Sequence, residues 1–401
     1  MTRVSVSETA AAIATAASAA LACAPSYRLP TPSIAGDTAP VTVIPFELYD
    51  GRVNVRATIN GDSGWLVLDT GAWRTTLDSS WALQVGVQLP WTRDSNHAVV
   101  DAIRLGTLTL RNYVVDLYDM HDVSAAAGRF QAGLLGHDFL RHFTVEVDYG
   151  EQIVRLYDRA TYRYEGAGVI LPFASKYDSP LLRVSFRPPG GDWVKARLLL
   201  DTGSGRLCLI LMTPFVEKHH LTTMAPAIDG PLITGIAGPL HVAVGSIAAF
   251  RLGELALDSV PTGLGRERKS FLTSKGIDGL AGSRLFHGGR LILDYYRHRA
   301  IVEPAAGVGR DCRYDQSGLT LTARGADYRD FRVGYVVPHS PAADVGIQEG
   351  DRILAIDGRS SAEVELPDLR RALAVDSTAR QLRLLRGADT LVVTVKLRRL
   401  F

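Results

Sequence analysis

The run Leu66-Val67-Leu68-Asp69-Thr70-Gly71-Ala72 is written a second time, as Leu198-Leu199-Leu200-Asp201-Thr202-Gly203-Ser204. In both copies an apolar run delivers an aspartate into a tight Thr-Gly turn, and another apolar stretch leaves it. One Asp-Thr-Gly carries little information, because average residue frequencies produce it by chance in roughly one chain in ten of this length. Two copies in matched surroundings need a shared explanation. A fold that sets two carboxylates face to face supplies one.

The copies belong to a longer repeat, and testing for it decides the architecture. Val43-Ile44-Pro45-Phe46 corresponds to Ile170-Leu171-Pro172-Phe173 at an offset of 127, and the two aspartates correspond at 132. Ile103-Arg104-Leu105-Gly106 matches Phe250-Arg251-Leu252-Gly253 at 147. Gly133-Leu134-Leu135-Gly136 matches Gly279-Leu280-Ala281-Gly282, and Asp148-Tyr149 matches Asp294-Tyr295, both at 146. Landmarks kept in one order predict an internal duplication. The offset grows before Asp201, consistent with a longer hairpin at Pro188-Pro189-Gly190-Gly191-Asp192, and again between Gly203 and Leu252. The two halves are therefore not interchangeable.

Local patterns from residue 41 onward are those of an all-β region. Short alternating runs such as Val53-Asn54-Val55-Arg56-Ala57-Thr58-Ile59 are bounded by Gly, Asp, Asn and Pro, and Asn60-Gly61-Asp62-Ser63-Gly64 between two of them predicts a hairpin turn. With 401 residues the chain is long enough for two or three domains. A net charge of +2 gives no reason to expect nucleic acid. The late basic residues, among them Arg380, Arg386 and Arg398, read as a solvated face rather than a polyanion site.

Three cysteines, Cys23, Cys208 and Cys312, argue against a disulfide-stapled scaffold and have no metal-ligand spacing, so no metal or cofactor is expected. Cys208 reads as a small buried hydrophobe. The Ala-rich run from Thr9 to Ala22 is too short and too weakly apolar to span a bilayer. It resembles a secretory signal with cleavage just before Cys23, which predicts export to a bacterial periplasm or cell envelope. A lipoprotein signal would make Cys23 a lipid anchor, although Ala20 stands where such signals normally have Leu. A plain tail leading into the Pro/Ser/Thr-rich stretch before Pro40 is the third reading.

The doubled Asp-Thr-Gly, with an apolar-apolar-Gly run after each (Leu134-Leu135-Gly136 and Leu280-Ala281-Gly282), resembles the aspartic peptidases, in the form of two retropepsin-type units fused in one chain. The resemblance covers about residues 40–304. It implies a mostly β fold with two retropepsin- or pepsin-like β-barrel lobes, at 41–160 and 161–305, after a signal-like segment and linker at 1–40. Asp69 and Asp201 would be the catalytic pair, with Thr70, Gly71, Ala72, Thr202, Gly203 and Ser204 supporting the active-site loops. Two carboxylates in contact cannot both ionise easily, so the pair holds one proton and can act as base and acid on a water and a peptide carbonyl. Ser204 offers a hydroxyl to Asp201 where Ala72 offers none to Asp69, which predicts that Asp201 carries more of the negative charge. Gly235-Ile236-Ala237-Gly238 resembles a flap that closes over substrate, and Thr92 to His97 in the first half has no glycine for one.

From about residue 310 the texture changes. Ser340-Pro341-Ala342-Ala343, Gly346 and Gly350-Asp351-Arg352-Ile353-Leu354 resemble the PDZ domains attached to bacterial proteases. This implies a small α+β domain over 310–401 that binds C-terminal or extended peptides by strand addition, with Gly318-Leu319-Thr320-Leu321 at the carboxylate loop. Other motifs are weaker. Gly203-Ser204-Gly205 lacks the third glycine of a phosphate loop, and His219-His220 lacks the spacing of a zinc helix. The sequence thus predicts an aspartic endopeptidase acting on polypeptides. The competing reading is a non-catalytic peptide-binding protein that kept the cleft.

Overall fold

A computed structural model describes residues 40–88, 96–174, 179–224, 227–235, 238–267, 276–305 and 307–401. The signal-like segment with Cys23, and Ile236 and Ala237 of the flap candidate, lie outside them. The chain is mostly β, as expected. A closed barrel is built from strands between Thr42 and Glu303, and a second, six-stranded sheet from strands between Leu319 and Lys396. No helix among the described residues is long and apolar enough to cross a membrane.

The hairpins follow their turn chemistry. Strands Arg52–Ile59 and Asp62–Leu68 pair across Asn60-Gly61, whose φ angles are 49° and 110°, the left-handed pair that a two-residue hairpin requires. Asp50-Gly51, with φ of 48° and 75°, makes the same kind of turn between Thr42–Tyr49 and Arg52–Ile59. That second turn later proves to face the site.

The pairing pattern of the first half recurs in the second. Asp62–Leu68 runs parallel to Gly133–Leu135, in register Leu66 with Gly133 and Leu68 with Leu135. Val194–Asp201 runs parallel to Gly279–Gly282, in register Leu198 with Gly279 and Leu200 with Ala281. Thr76–Asp78 and Leu209–Leu211 each lie antiparallel to those short glycine-led strands and parallel to a long strand beyond. A continuous sheet joins the halves. Thr42–Tyr49, Ile153–Asp158, Phe143–Asp148, Arg290–Asp294, Arg299–Glu303 and Val169–Ala174 are neighbours in that order, with Phe143–Asp148 against Arg290–Asp294 at the centre. Val145, Val147, Leu291 and Leu293 there are fully buried, so the seam between halves is apolar core.

The cysteines correct the sequence reading. Cys208 is buried, but it forms a disulfide with Cys312 across a sequence separation of 104, with Cα atoms 5.6 Å apart. The bond ties the strand run after the second aspartate to the segment that leads into the last domain. Nothing local announces it, because only the fold brings the two residues together. A closed loop of this length constrains the unfolded chain, so Cys208→Ala with Cys312→Ala is expected to lower stability by about 2–5 kcal/mol. Chemical denaturation checks this, and a stability equal to that of the parent would contradict it.

The last domain has the strand order Leu319–Arg324, Asp330–Val336, Arg352–Ile356, Ala379–Arg386, Asp389–Lys396, with helix Leu366–Ala372 over it. Phe331, Leu366, Leu373, Leu382, Leu384 and Val395 fill its core. The late arginines pair inside the domain: Arg380 with Asp357 at 3.0 Å, Arg386 with Asp351 at 2.7 Å, Arg398 with Asp344 at 2.8 Å. Arg398 is exposed, and Arg380 and Arg386 are half-buried in these pairs.

Candidate active site

Both aspartates stand at the ends of buried strands. Leu66, Val67 and Leu68 are at most 2% exposed, and the Asp69 amide donates to Leu135 O at 3.0 Å, which extends the parallel pairing to the first aspartate itself. In the second half Asp201 ends its strand opposite Gly282. The apolar runs bury themselves, and each leaves its last residue at the seam between the halves.

The turns then lock together. Thr70 Oγ1 donates to Leu200 O at 2.6 Å and Thr202 Oγ1 donates to Leu68 O at 2.7 Å. Each threonine amide donates to the other's hydroxyl oxygen at 3.0 Å. Both side chains are fully buried, so every bond of this bracket is made away from water. A hydroxyl residue is needed at both positions, because the hydroxyl must accept from one backbone group and donate to another.

The bracket brings the carboxylates into contact with the opposite turn. A Cβ on Gly71 would lie 2.6 Å from Asp201 Cγ and Oδ1, and a Cβ on Gly203 would collide with the Asp69 carboxylate. Each glycine is thus the floor on which the other half's carboxylate rests. Each carboxylate also accepts two amides from its own turn: Asp69 Oδ1 from Gly71 N at 2.8 Å and Ala72 N at 2.9 Å, Asp201 Oδ1 from Gly203 N at 3.0 Å and Ser204 N at 3.1 Å. The turns are nearly equivalent in this respect.

Both carboxylates are raised above the ordinary carboxylate range, so the pair holds on to a proton. Burial raises Asp201, and the charge and hydrogen bond of Asp69 raise it further, to about 8, against the opposing amides of Ser204 and Gly203. Burial also raises Asp69, but the Ala72 and Gly71 amides and the Arg52 guanidinium oppose it. The two carboxylates therefore share one proton and titrate as a pair. Ser204 meets Asp201 through its amide, as Ala72 meets Asp69, so a hydroxyl in one loop makes no difference between the pair. Arg52 adds a cation that favours the ionised form of Asp69. Its Nε donates to Gly203 O at 2.8 Å, which places its charge beside the dyad.

Removing that charge has a definite sign. In Arg52→Met the ionised form of Asp69 loses a stabilising cation, its pKa rises, and the acid limb of a pH–rate profile is expected to move to higher pH. Ser204→Ala is expected to move it less. The same limb position in Arg52→Met as in the parent would contradict this assignment.

The other candidates are less central. Ala227–Gly235 and Gly238–Leu252 form a hairpin whose far end pairs Gly235 with Gly238, so the flap candidate is the tip of a long hairpin. Gly318, Leu319, Thr320 and Leu321 are all buried, and helix His121–Ala127 of the first half packs against their strand. The amides of Ser317, Gly318 and Leu319 already donate to the Asp315 carboxylate, at 2.9, 2.6 and 3.2 Å. An internal carboxylate thus stands where the PDZ resemblance implies a peptide's end.

Two groups escaped sequence reasoning. Arg52 follows the Asp50-Gly51 hairpin turn, and that dipeptide was the available signal. Ser283, His287 and Asp311 are connected as a nucleophilic triad would be, with Ser283 Oγ to His287 Nε2 at 3.2 Å and His287 Nδ1 to Asp311 Oδ2 at 2.6 Å. Ser283 is 0% exposed and also meets Tyr149 OH at 3.3 Å, so this is a packed hydrogen-bond network with no room for a substrate.

A family model described as "Aspartyl protease" matches residues 55–139. The chain carries an aspartyl protease domain. The match includes Asp69 and its turn and runs past Gly133-Leu134-Leu135-Gly136. A second family model, "PDZ domain", matches residues 332–386, so the protease domain is accompanied by a C-terminal PDZ domain. No curated protein matches the sequence. Among solved structures, the photosystem II D1 C-terminal processing protease is similar at 22% identity over 22% of this chain and 24% of that one, with a TM-score of 0.20. This chain therefore spans about a quarter of that protein's length.

Proposed function

We propose that the protein is an aspartic endopeptidase in which Asp69 and Asp201 hydrolyse peptide bonds through an activated water. The observation that carries this reading is the reciprocal seating of the carboxylates, each against the other half's glycine, above the Thr70–Thr202 bracket. Asp69, held ionised, takes a proton from a water between the carboxylates, and the hydroxide attacks the scissile carbonyl. Asp201, holding the shared proton, donates it toward the developing oxyanion. The carboxylates are half-buried between the two turns, which lowers the local dielectric and strengthens both roles.

In the same reading the second half is a second peptidase lobe that arose by duplication, and the hairpin around Gly235 and Gly238 covers the substrate. The PDZ domain recognises polypeptide segments. The Cys208–Cys312 disulfide supports an oxidising, exported setting for the protein.

Cleavage of an unstructured polypeptide, its inhibition by pepstatin and its loss in Asp69→Asn test the proposal together. Peptide binding without turnover in the parent protein would favour the non-catalytic alternative.

A further inference from the structure

The PDZ domain reaches the dyad through a row of charged groups. Arg370, on helix Leu366–Ala372, is half-buried at the boundary with the first half. Its Nη1 donates to Asp50 Oδ1 at 2.9 Å, and its Nη2 donates to Ala126 O and to Leu321 O, both at 2.7 Å. One guanidinium therefore clamps the edge strand of the PDZ sheet, the helix His121–Ala127 and the Asp50-Gly51 turn. The Asp50 carboxylate, 2% exposed, also faces Arg52 Nη1 at 3.8 Å from its other oxygen. Arg52 in turn holds Gly203 O. The backbone repeats the connection: a Cβ on Gly205 would lie 2.6 Å from Arg52 Cγ, so the Asp50-Gly51 hairpin turn is seated directly on the loop after Asp201.

We propose that Arg370 is a positioning residue for the active site, acting through Asp50 and Arg52 to fix the second catalytic turn. The inference rests on the proteolytic reading of the dyad. Without Arg370 the buried Asp50 has lost its closest cation, and Arg52 is the nearest replacement. Arg52 moves toward Asp50 and gives up Gly203 O, which loosens the turn and removes a positive charge from beside Asp69. The groups that bear on Asp50 are Arg370, Arg52, Arg206 and Arg284, and those that bear on Asp69 are Arg52, Asp201 and the buried Tyr295. Every cation in the first set except Arg370 belongs to the strands and loops around the site. Arg370 alone makes the PDZ domain part of it.

The test uses the full chain and two readouts. Arg370→Met is expected to lower kcat roughly 3- to 30-fold with little change in KM. The dyad's first ionisation, followed by carboxyl NMR of aspartate-labelled protein, is expected to move to higher pH. Arg370→Met combined with Arg52→Met is expected to be no worse than Arg52→Met alone, because both act on one bond. Arg370→Gln keeps a donor for the two carbonyls while losing the charge, so it serves if Arg370→Met does not fold, with the same expected shift. A purely structural Arg370 would lower the yield of folded protein and leave both the ionisation and kcat per folded molecule as in the parent, which would overturn the proposal. Multiplicative losses in the double variant would overturn it as well. If the parent chain cleaves nothing, the proteolytic reading falls, and the ionisation comparison still decides whether Arg370 acts on the dyad.

Discussion

Asp69→Asn and Asp201→Asn are each expected to reduce turnover by at least about a thousandfold while leaving the fold intact. The substitution is isosteric, and an asparagine amide can still meet the Gly71 or Gly203 amides through its oxygen. What it cannot do is share a proton. With either aspartate replaced, the single remaining carboxylate has no partner with which to share a proton, and it cannot be base toward water and acid toward the oxyanion at once. The roles belong to a pair, so the two losses are expected to be similar and the double variant hardly worse than either. Rates measured on one unstructured polypeptide, with near-UV circular dichroism as the folding check, decide this. Turnover within tenfold of the parent in either variant would show that the carboxylates do not act together.

The second large effect comes from a methyl group. Gly71→Ala places its Cβ where Asp201 Cγ and Oδ1 would lie only 2.6 Å away, closer than side-chain carbons approach anything. Asp201 cannot yield easily, since its carboxylate is held by the Gly203 and Ser204 amides. Overpacking of this kind costs about 1–3 kcal/mol of stability. A displacement of the reacting groups by about 1 Å costs roughly a hundredfold in rate. Gly71→Ala is therefore expected to be folded but nearly inactive, and Gly203→Ala likewise. An active Gly71→Ala would mean that the carboxylates do not approach the opposite turn as closely as described.

The repeated turn was legible because its chemistry is local. An apolar run must bury itself, Asp-Thr-Gly must turn, and writing both twice requires two equivalent settings. The Asn60-Gly61 hairpin, the predominance of strands and the PDZ domain followed from the same kind of short-range signal. What escaped notice depends on residues far apart in sequence. Cys208 and Cys312 meet only after the second half and the PDZ domain are in place. Arg52 looked like one more strand residue until the fold set it against Gly203 O. Ser204 was the opposite case. Its hydroxyl was visible in the sequence, whereas the equal pairs of backbone amides that make the two turns alike were not. Arg52, set beside the pair by its bond to Gly203 O, is a further influence that a comparison of the two turns alone leaves out.

On the proposed mechanism the shared proton also shapes how the protein responds to pH. Activity needs one carboxylate ionised and its partner protonated, so the useful range lies between the two ionisations of the pair. The amides and Arg52 set the lower one, and the burial of Asp201 beside a charged neighbour sets the upper.

The pH dependence of kcat/KM for cleavage of an unstructured polypeptide tests the shared proton most directly. A bell-shaped profile is expected, with its basic limb near pH 8, where the pair loses its shared proton. A rate that stays level or keeps rising well beyond that limb would mean that catalysis does not depend on a proton held between Asp69 and Asp201.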